Sequence, residues 1–552
     1  MNAKNIIIAV ALCIATGFSC LAANTNTTTD DNEAAKYADS YNFARAKDLL
    51  EKEDFDGAVA SLKKEVAVHP DNTWAWYYLG TIANNSYEEE EAITDFTNAI
   101  KYCDPKHADD KACYYISRAD VYNSLGKTDE AEKDYSAAVA ASPNKAFTYY
   151  SRCIFYINTK NYEKAMPDVD KAIELAPEEM DGYTAKAFIL KIQGKYDEAM
   201  SCVEKSAPHD TTGYFTNLLK GDLYYNMDKF DEAFDNFIIA VDKSAEKQDY
   251  DNYMCAFENI NALADTVYDA ITGKIEALCA ANPTNKDYAM LATYVFRNNS
   301  KWEKAIEYLE KYYKINPLPT IFANISECYE YLGEMKKAEE YIDKAIAASP
   351  EESANYYKKA DMRFQNYDLD GAIQALSKSI ALHPDDTEMI SSRASYHYYN
   401  KDYQSAYNDY KQICRIDTVD NTSTFDEANT CKMLGKTEEA TSVFKSCLDE
   451  AKETGDSTNM AYAYIGLGDI AMAKKIADEL AKDDNTNLYD LTCIYALLND
   501  KQNALKHLET TLESGYDNFA LIHYDADLDN IRETPEFKAL IEKYKANSQQ
   551  KP

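Results

Sequence analysis

Apolar and polar residues along this chain follow a helical pattern, and that pattern repeats about every 34 residues. Its clearest marker is an alanine after a charged pair, at Ala131, Ala165, Ala199 and Ala233. Counting outward finds the marker again at Ala58, Ala92, Ala305, Ala338, Ala372, Ala406, Ala440, Ala473 and Ala504, and the double interval between Ala233 and Ala305 holds one degenerate unit. A fixed period of this length indicates a stack of similar units. We expect about fourteen units between residue 39 and about residue 518.

Other positions keep the same phase. If the marker alanine is repeat position 20, position 8 holds small residues such as Gly80 and Ala119, and position 11 is often aromatic. Small side chains at positions 8 and 20 let two helices cross closely. Prolines at position 32, such as Pro70, stop the second helix. Glycines at position 15, such as Gly126, suit a left-handed residue in the turn between the helices.

These in-phase residues resemble the tetratricopeptide repeat family, and the resemblance covers nearly all of the chain after residue 38. It implies an all-α fold, a right-handed α-α superhelical solenoid of about fourteen tetratricopeptide repeats. We expect an N-terminal array over residues 39–247 and a C-terminal array over residues 286–518. Between them, residues 248–285 form a degenerate repeat and a candidate hinge. Residues 519–552 are expected to cap the array and end in a tail.

The N-terminus has the layout of an export signal. Lys4 precedes an apolar run from Ile6 to Ala15, which is too short to span a bilayer. We expect a signal peptide over residues 1–22 and a flexible tether over residues 23–38. Cleavage after Ala22 and lipid attachment at Cys20 are competing alternatives for processing. The mature protein is expected to be periplasmic or attached to the cell envelope, with no transmembrane span.

Composition and missing motifs narrow the function. The formal net charge of -36 argues against a nucleic-acid partner, because phosphate binding needs a basic face. Only 16 glycines are present, and the chain lacks the HExxH, GxSxG, Walker and paired CxxC patterns. We therefore expect no enzymatic activity, no cofactor and no resident metal.

Two local patterns suggest other chemistry. Asp525, Asp527, Asp529 and Glu536 match acidic positions of a calcium loop, but Asn530 and Arg532 stand where the turn glycine and an apolar anchor belong. A cap for the last repeat is the favoured interpretation of that stretch. The pair Cys103 and Cys113 flanks an insertion and is a candidate disulfide, whereas the other cysteines mostly fall at core positions.

The resemblance places the binding surface on the first helix of each repeat, chiefly at positions 2, 5, 9 and 12. These positions form an aromatic and acidic groove. It comprises Trp74, Tyr77, Asp120, Tyr150, Phe188, Asp222, Tyr225, Tyr294, Tyr357, Asp361, Phe364 and Tyr398.

Such a groove favours a protein or peptide partner with basic and apolar anchors. The leading hypothesis is a non-enzymatic protein-protein interaction scaffold of the cell envelope. The alternative is a glycan-binding surface component of a nutrient-uptake system, because aromatic faces also stack on sugars.

Overall fold

The computed structural model describes residues 40–416, 425–483 and 485–548. Within these ranges the regular elements are all helical and follow one another in pairs joined by short turns. The predicted fold class, an all-α repeat solenoid, is confirmed. The predicted signal peptide, tether and lipidation residue Cys20 lie outside the described residues. No helix within the described ranges combines the length and apolar character that a bilayer crossing requires.

Contacts divide the chain into two units, and the first ends at Asn299. The predicted degenerate repeat at 248–285 forms two consecutive helices in this unit, and its role as a hinge stays a prediction. The helices of the first unit are α1 (Tyr41–Glu51), α2 (Phe55–Val68), α3 (Thr73–Asn85), α4 (Glu89–Tyr102), α5 (Ala108–Ser124), α6 (Thr128–Ala141), α7 (Ala146–Asn158), α8 (Tyr162–Leu175), α9 (Met180–Ile192), α10 (Tyr196–Ser206), α11 (Tyr214–Asn226), α12 (Phe230–Lys247), α13 (Tyr250–Thr266), α14 (Tyr268–Ala281) and α15 (Lys286–Asn298).

The second unit begins at Ser300. Short 3₁₀ turns supplement the α-helices in both units, at Ala207–His209 and Ala526–Leu528. The helices of the second unit are α16 (Trp302–Ile315), α17 (Thr320–Tyr331), α18 (Met335–Ala348), α19 (Ser353–Gln365), α20 (Leu369–Leu382), α21 (Thr387–Tyr399), α22 (Tyr403–Ile416), α23 (Phe425–Met433), α24 (Thr437–Thr454), α25 (Ser457–Leu467), α26 (Ile470–Leu480), α27 (Leu488–Leu497), α28 (Lys501–Glu513), α29 (Phe519–Tyr524), α30 (Asp529–Arg532) and α31 (Pro535–Ser548).

Repeat position 15 is left-handed in both units. The predicted turn glycines have positive φ, as at Gly126 (φ 70°) and Gly333 (φ 70°). Other residues adopt the same conformation at this position, among them Tyr87 (φ 60°), Lys160 (φ 58°) and Tyr367 (φ 63°). A left-handed residue with a side chain is strained by about 1 kcal/mol. The packing of the two helices therefore imposes this turn, even where the local sequence disfavours it.

Small residues at position 8 allow the helices of a pair to cross closely. A Cβ atom added to Gly80 would lie 2.8 Å from the ring of Phe96 on the second helix of the same pair. Alanines and a cysteine at this position, such as Ala119 and Cys153, have no exposed surface. The core of each unit thus lies between its first and second helices, as a series of apolar clusters.

An arginine-aspartate clasp joins neighbouring repeats. Arg152 on α7 donates from two nitrogens to the carboxylate of Asp168 on α8, at 2.8 and 2.7 Å. Its third nitrogen donates to the hydroxyl of Ser136 on α6, in the preceding pair, at 3.3 Å. Bidentate charged pairs of this kind fix geometry as well as adding energy. Equivalent clasps in the described residues are Arg118–Asp134 and Arg393–Asp409.

The residues after α28 cover the end of the array. Leu528, Ile531 and Phe537 are buried in one apolar cluster with residues of α27 and α28, and Leu540 and Ile541 pack against it. A solenoid needs such a cover, because its last repeat has no following neighbour.

Candidate functional site

The first unit buries much of the predicted groove. Trp74, Tyr77 and Tyr150 expose 5%, 4% and 8% of their surface. The Trp74 ring lies edge-on to Tyr77, with centroids 5.2 Å apart, and its indole nitrogen donates to Asp110 at 3.3 Å. Little of these three rings is therefore accessible to a partner.

Acidic groove residues of the first unit already have partners. Asp222 is buried and forms an ion pair with the buried Lys191 at 2.8 Å. Asp120 is half-buried and accepts a hydrogen bond from the hydroxyl of Tyr135. Burial raises the pKa of Asp120 to about 7, and this hydrogen bond opposes the shift. These two carboxyl groups are satisfied within the unit.

Three further groove residues of the first unit are half-buried. The ring of Phe188 lies 5.7 Å from the Lys191 ammonium, and the Tyr225 hydroxyl shares a 3.1 Å hydrogen bond with Thr266. Tyr294 packs against the ring of Phe257, with centroids 5.8 Å apart. In the first unit, these three side chains are therefore the more accessible aromatic residues of the predicted groove.

The second unit leaves more of its groove residues accessible. Asp361 is exposed, whereas Tyr357 and Tyr398 are half-buried. Phe364 is buried and stacks on Tyr396, with centroids 4.7 Å apart. The groove residues of the two units therefore differ in their surroundings, although they occupy the same repeat positions.

Four half-buried carboxyl groups come together in the second unit, and we call Asp426, Asp490, Asp525 and Asp527 the acidic face. Asp426 lies on α23, Asp490 on α27, and the other two in the stretch after α29. The Tyr489 hydroxyl donates to Asp525 at 2.8 Å, and Ser395 donates to Asp426 at 3.5 Å. Among the described ion pairs, none joins a lysine or arginine to these four carboxylates.

Burial and mutual repulsion raise the pKa values of carboxyl groups in the acidic face. Burial, followed by the charge of Asp525, raises the pKa of Asp426 to about 6. Burial also raises the pKa of Asp527 well above its usual range, and Asp525 and Asp426 add to the shift. The pKa of the neighbouring phenol of Tyr398 rises for the same reasons, burial first and then the charges of Asp527 and Asp426. Ionising all four carboxyl groups at neutral pH is therefore unfavourable, because they are partly buried and repel one another.

Sequence reasoning missed most of this face. Asp426 and Asp490 share repeat position 6, which was not among the positions assigned to the groove. Asp525 and Asp527 were instead weighed as part of a calcium loop. Asp426 and Asp490 recur at the same repeat position, two repeats apart. That recurrence was the sequence feature that could have revealed them.

Two of the four predicted calcium-loop residues, Asp525 and Asp529, contact an arginine. The Arg532 guanidinium donates to the backbone carbonyls of Ile522 (2.8 Å), His523 and Asp525, and to the carboxylate of Asp529 at 3.1 Å. The chain thus supplies its own cation to this turn. Separately, ligand atoms of Cys493, Asp525 and Asp527 lie within 4.8 Å of one another, and the Cys493 thiol donates to Asp525 at 3.4 Å.

The predicted disulfide between Cys103 and Cys113 is not formed. Both side chains are buried thiols and belong to different apolar clusters. Cys103 follows α4 and donates to the carbonyl oxygen of His107 at 3.4 Å, whereas Cys113 lies within α5 among core residues. The insertion is pinned by packing and backbone contacts rather than by a bridge.

Family models match parts of the chain. Two models described as tetratricopeptide repeat match residues 43–108 and residues 319–352. The chain is a tetratricopeptide repeat protein. A third model, described as N-terminal acetyltransferase A, auxiliary subunit, matches residues 119–218 of this tetratricopeptide repeat protein.

A curated relative matches only a short stretch of this chain. A chloroplastic protein of Arabidopsis thaliana is 38% identical over 56 residues, which is 10% of this chain. The chain spans 17% of the length of that curated relative.

Among solved structures, a tetratricopeptide repeat protein from Parabacteroides merdae is 19% identical, with a TM-score of 0.33; the match covers 52% of this chain and 96% of that one. The structure of Naa15/Naa10 bound to HypK-THB is 12% identical, with a TM-score of 0.31, covering 92% of this chain and 96% of that one.

Proposed function

We propose that this tetratricopeptide repeat protein is a non-enzymatic scaffold that binds a segment of another protein on the face formed by its first helices. In the second unit, basic side chains of the partner meet the acidic face. The observation that carries this proposal is the set of four neighbouring carboxyl groups to which no described lysine or arginine is paired.

The chemistry of this region favours a lysine or arginine side chain. Half-buried carboxylates that repel one another gain most from a cation that enters between them. Tyr398, Tyr399 and Tyr462 surround the acidic face and are half-buried. Their rings offer apolar surface and cation-π contacts to the same basic side chain. A segment with alternating basic and apolar residues satisfies both requirements.

The proposed location is the cell envelope, reached through the signal peptide at residues 1–22. Intact mass measurement of the protein purified from its native host tests this proposal. An N-terminus at residue 23 supports soluble export, and a diacylated Cys20 supports a lipoprotein. A retained Met1 would contradict export. Glycan binding stays an alternative prediction, which a glycan array tests.

Binding is tested with a fluorescent peptide of alternating lysine and leucine, measured by anisotropy. We expect Asp426→Asn with Asp527→Asn to weaken binding about tenfold, corresponding to about 1.4 kcal/mol. Raising the salt concentration should weaken binding to the unsubstituted protein as well. Asp385→Asn, in an exposed turn of the same unit, is the matched control and should leave the affinity unchanged.

Equal affinity for a peptide with glutamate in place of lysine would overturn the proposal. So would an affinity that neither salt nor the paired substitution alters. Crosslinking in the native envelope, followed by mass spectrometry, then identifies the natural partner.

A further inference from the structure

The C-terminal segment contacts a repeat far from it in sequence. The Tyr524 hydroxyl donates to the backbone carbonyl of Tyr367, which is 157 residues away, at 2.8 Å. The Lys545 ammonium donates to the Tyr367 hydroxyl, 178 residues away, at 2.6 Å. Helices of a solenoid ordinarily contact only their sequence neighbours. This contact is therefore additional to the framework that holds the second unit together.

Apolar side chains form the centre of the contact. Ala520 on α29 is 2% exposed and belongs to one cluster with Ala360, Phe364 and other residues of α19 and α20. Leu521 and Tyr524 pack against the same cluster, and the rings of Tyr524 and Phe364 lie 5.8 Å apart. The contact thus buries a small apolar surface between two polar anchors.

The segment covers positions that the resemblance assigns to a partner. Tyr357 and Phe364 are repeat positions 5 and 12 of α19, and both pack in the cluster that includes Ala520. The segment presents the anchor types proposed for that partner, since Leu521 is apolar and Lys545 is cationic. The Lys545 ammonium also lies 4.7 Å from the centroid of the Tyr367 ring.

We propose that residues 519–545 act as an internal ligand, which occupies the first-helix face of α19 and must be displaced before a partner segment binds there. This inference rests on the proposed function, because the partner segment that competes with residues 519–545 is the one proposed there. The contact between residues 519–545 and α19 is observed within the second unit and does not depend on that proposal.

The contact is built to separate without unfolding. The opposite side of the segment holds Leu528 and Ile531 against α27 and α28, and release from α19 leaves that packing in place. Both hydrogen bonds to Tyr367 are exposed to solvent, where such bonds contribute little. Opening therefore exposes only the small cluster around Ala520 and Phe364.

Hydroxyl-radical footprinting of the full chain tests the closed state. Phe364 is 4% exposed, and its oxidation rate reports whether the segment covers it. Lys545→Ala removes the anchor on Tyr367 and leaves the Tyr524 ring in place, so faster oxidation of Phe364 requires the segment to lift. We expect a rise of about twofold or more for Lys545→Ala, and a larger rise for Tyr524→Ala with Lys545→Ala.

The matched control is Tyr331→Ala with Lys543→Ala. Tyr331 is exposed and stacks on Trp302, and Lys543 lies 3.2 Å from Glu509. These substitutions remove the same residue types without changing either anchor on Tyr367. Unchanged oxidation of Phe364 in both test variants, with folded spectra, would overturn the internal-ligand proposal.

Peptide affinity separates this proposal from the proposed function. If both are correct, Tyr524→Ala with Lys545→Ala binds the lysine-leucine peptide about three to ten times more tightly, because a larger fraction of molecules is open. Faster Phe364 oxidation without any peptide binding would support the internal contact and contradict the proposed function. Faster oxidation with binding no tighter than that of the control would contradict competition at this face.

Discussion

The two units are built on the same repeat framework but use repeat position 9 differently. In the first unit, Asp222 is buried against Lys191 and Asp120 accepts a hydrogen bond from Tyr135. In the second unit, Asp361 at the same position is exposed. Solenoid stability is a sum of local terms, so each repeat can commit its first-helix face to packing or to contact. The second unit leaves Asp361 exposed at this position, whereas the first unit uses Asp222 and Asp120 for internal contacts.

Asp222→Ala is expected to have the largest effect among the tests of this difference between the units. It leaves Lys191 as a buried charge without its partner, and we expect a loss of about 3 kcal/mol of stability in the surrounding repeats. Hydrogen exchange of α9 to α12 under mild denaturant measures this local loss. A global unfolding curve is less informative, because long repeat arrays do not unfold in one step.

Asp361→Ala is the matched substitution at the same repeat position. Because the side chain is exposed, its loss should cost less than about 0.5 kcal/mol. If the two alanine substitutions cost the same, the contrast between a packed and an open position 9 is wrong. Replacing Asp222 and Lys191 together with leucine and methionine should recover much of the lost stability.

The clasps provide a second test, because they are alike in both units. The side-chain exposures are 20% and 7% for Arg152 and Asp168, and 18% and 8% for Arg393 and Asp409. We expect Arg152→Ala and Arg393→Ala each to cost about 2 kcal/mol, since each leaves a buried carboxylate without its charged donor. Hydrogen exchange of α8 and α22 measures the two losses. Clearly unequal losses would show that the framework, and not only the face, differs between the units.

The acidic face gives a smaller expected effect than the clasps, through the pH dependence of stability. The pKa of Asp426 is raised to about 6 in the folded unit, so the folded state binds its proton more tightly than the unfolded chain does. The stability linked to this proton is fully present below the unfolded pKa of about 4, and is lost as the pH rises through about 6. Lowering the pH from about 7.5 to about 5 should therefore stabilise the second unit.

Asp426→Asn isolates this contribution. At about pH 7.5 it should stabilise the second unit by roughly 1 kcal/mol, after allowing for partial solvent screening, and the gain should shrink towards pH 5. Thermal melts of the variant and of Asp385→Asn across this pH range provide the measurement. An equal gain at both pH values would mean that burial and repulsion are not the cause.

The repeat framework could be predicted from sequence because its rules are local. The marker alanines, the small residues at position 8 and the turn at position 15 each depend on neighbours within one helix pair. Gly126 and Gly333 adopt the predicted left-handed conformation. Such rules repeat with the sequence and need no knowledge of how distant repeats are arranged.

The surroundings of the predicted groove residues could not be predicted to the same degree. The ring of Trp74 is covered partly by Tyr114 of the next repeat, 6.0 Å away, and the amount of cover depends on how the repeats stack. The acidic face joins α23, α27 and the stretch after α29, which no single repeat contains. Groove positions counted within one repeat therefore include Asp361 but not Asp426 or Asp490.

The left-handed turn residue has a consequence for protein engineering. Glycine, lysine and tyrosine all adopt the same backbone at position 15, as Gly126, Lys160 and Tyr367 show. This junction therefore tolerates changes of side chain, and glycine can replace Lys160 without altering the path of the chain. Whole helix pairs cut at these junctions could be exchanged or duplicated to lengthen the array, with each new interface supplied by the neighbouring repeats.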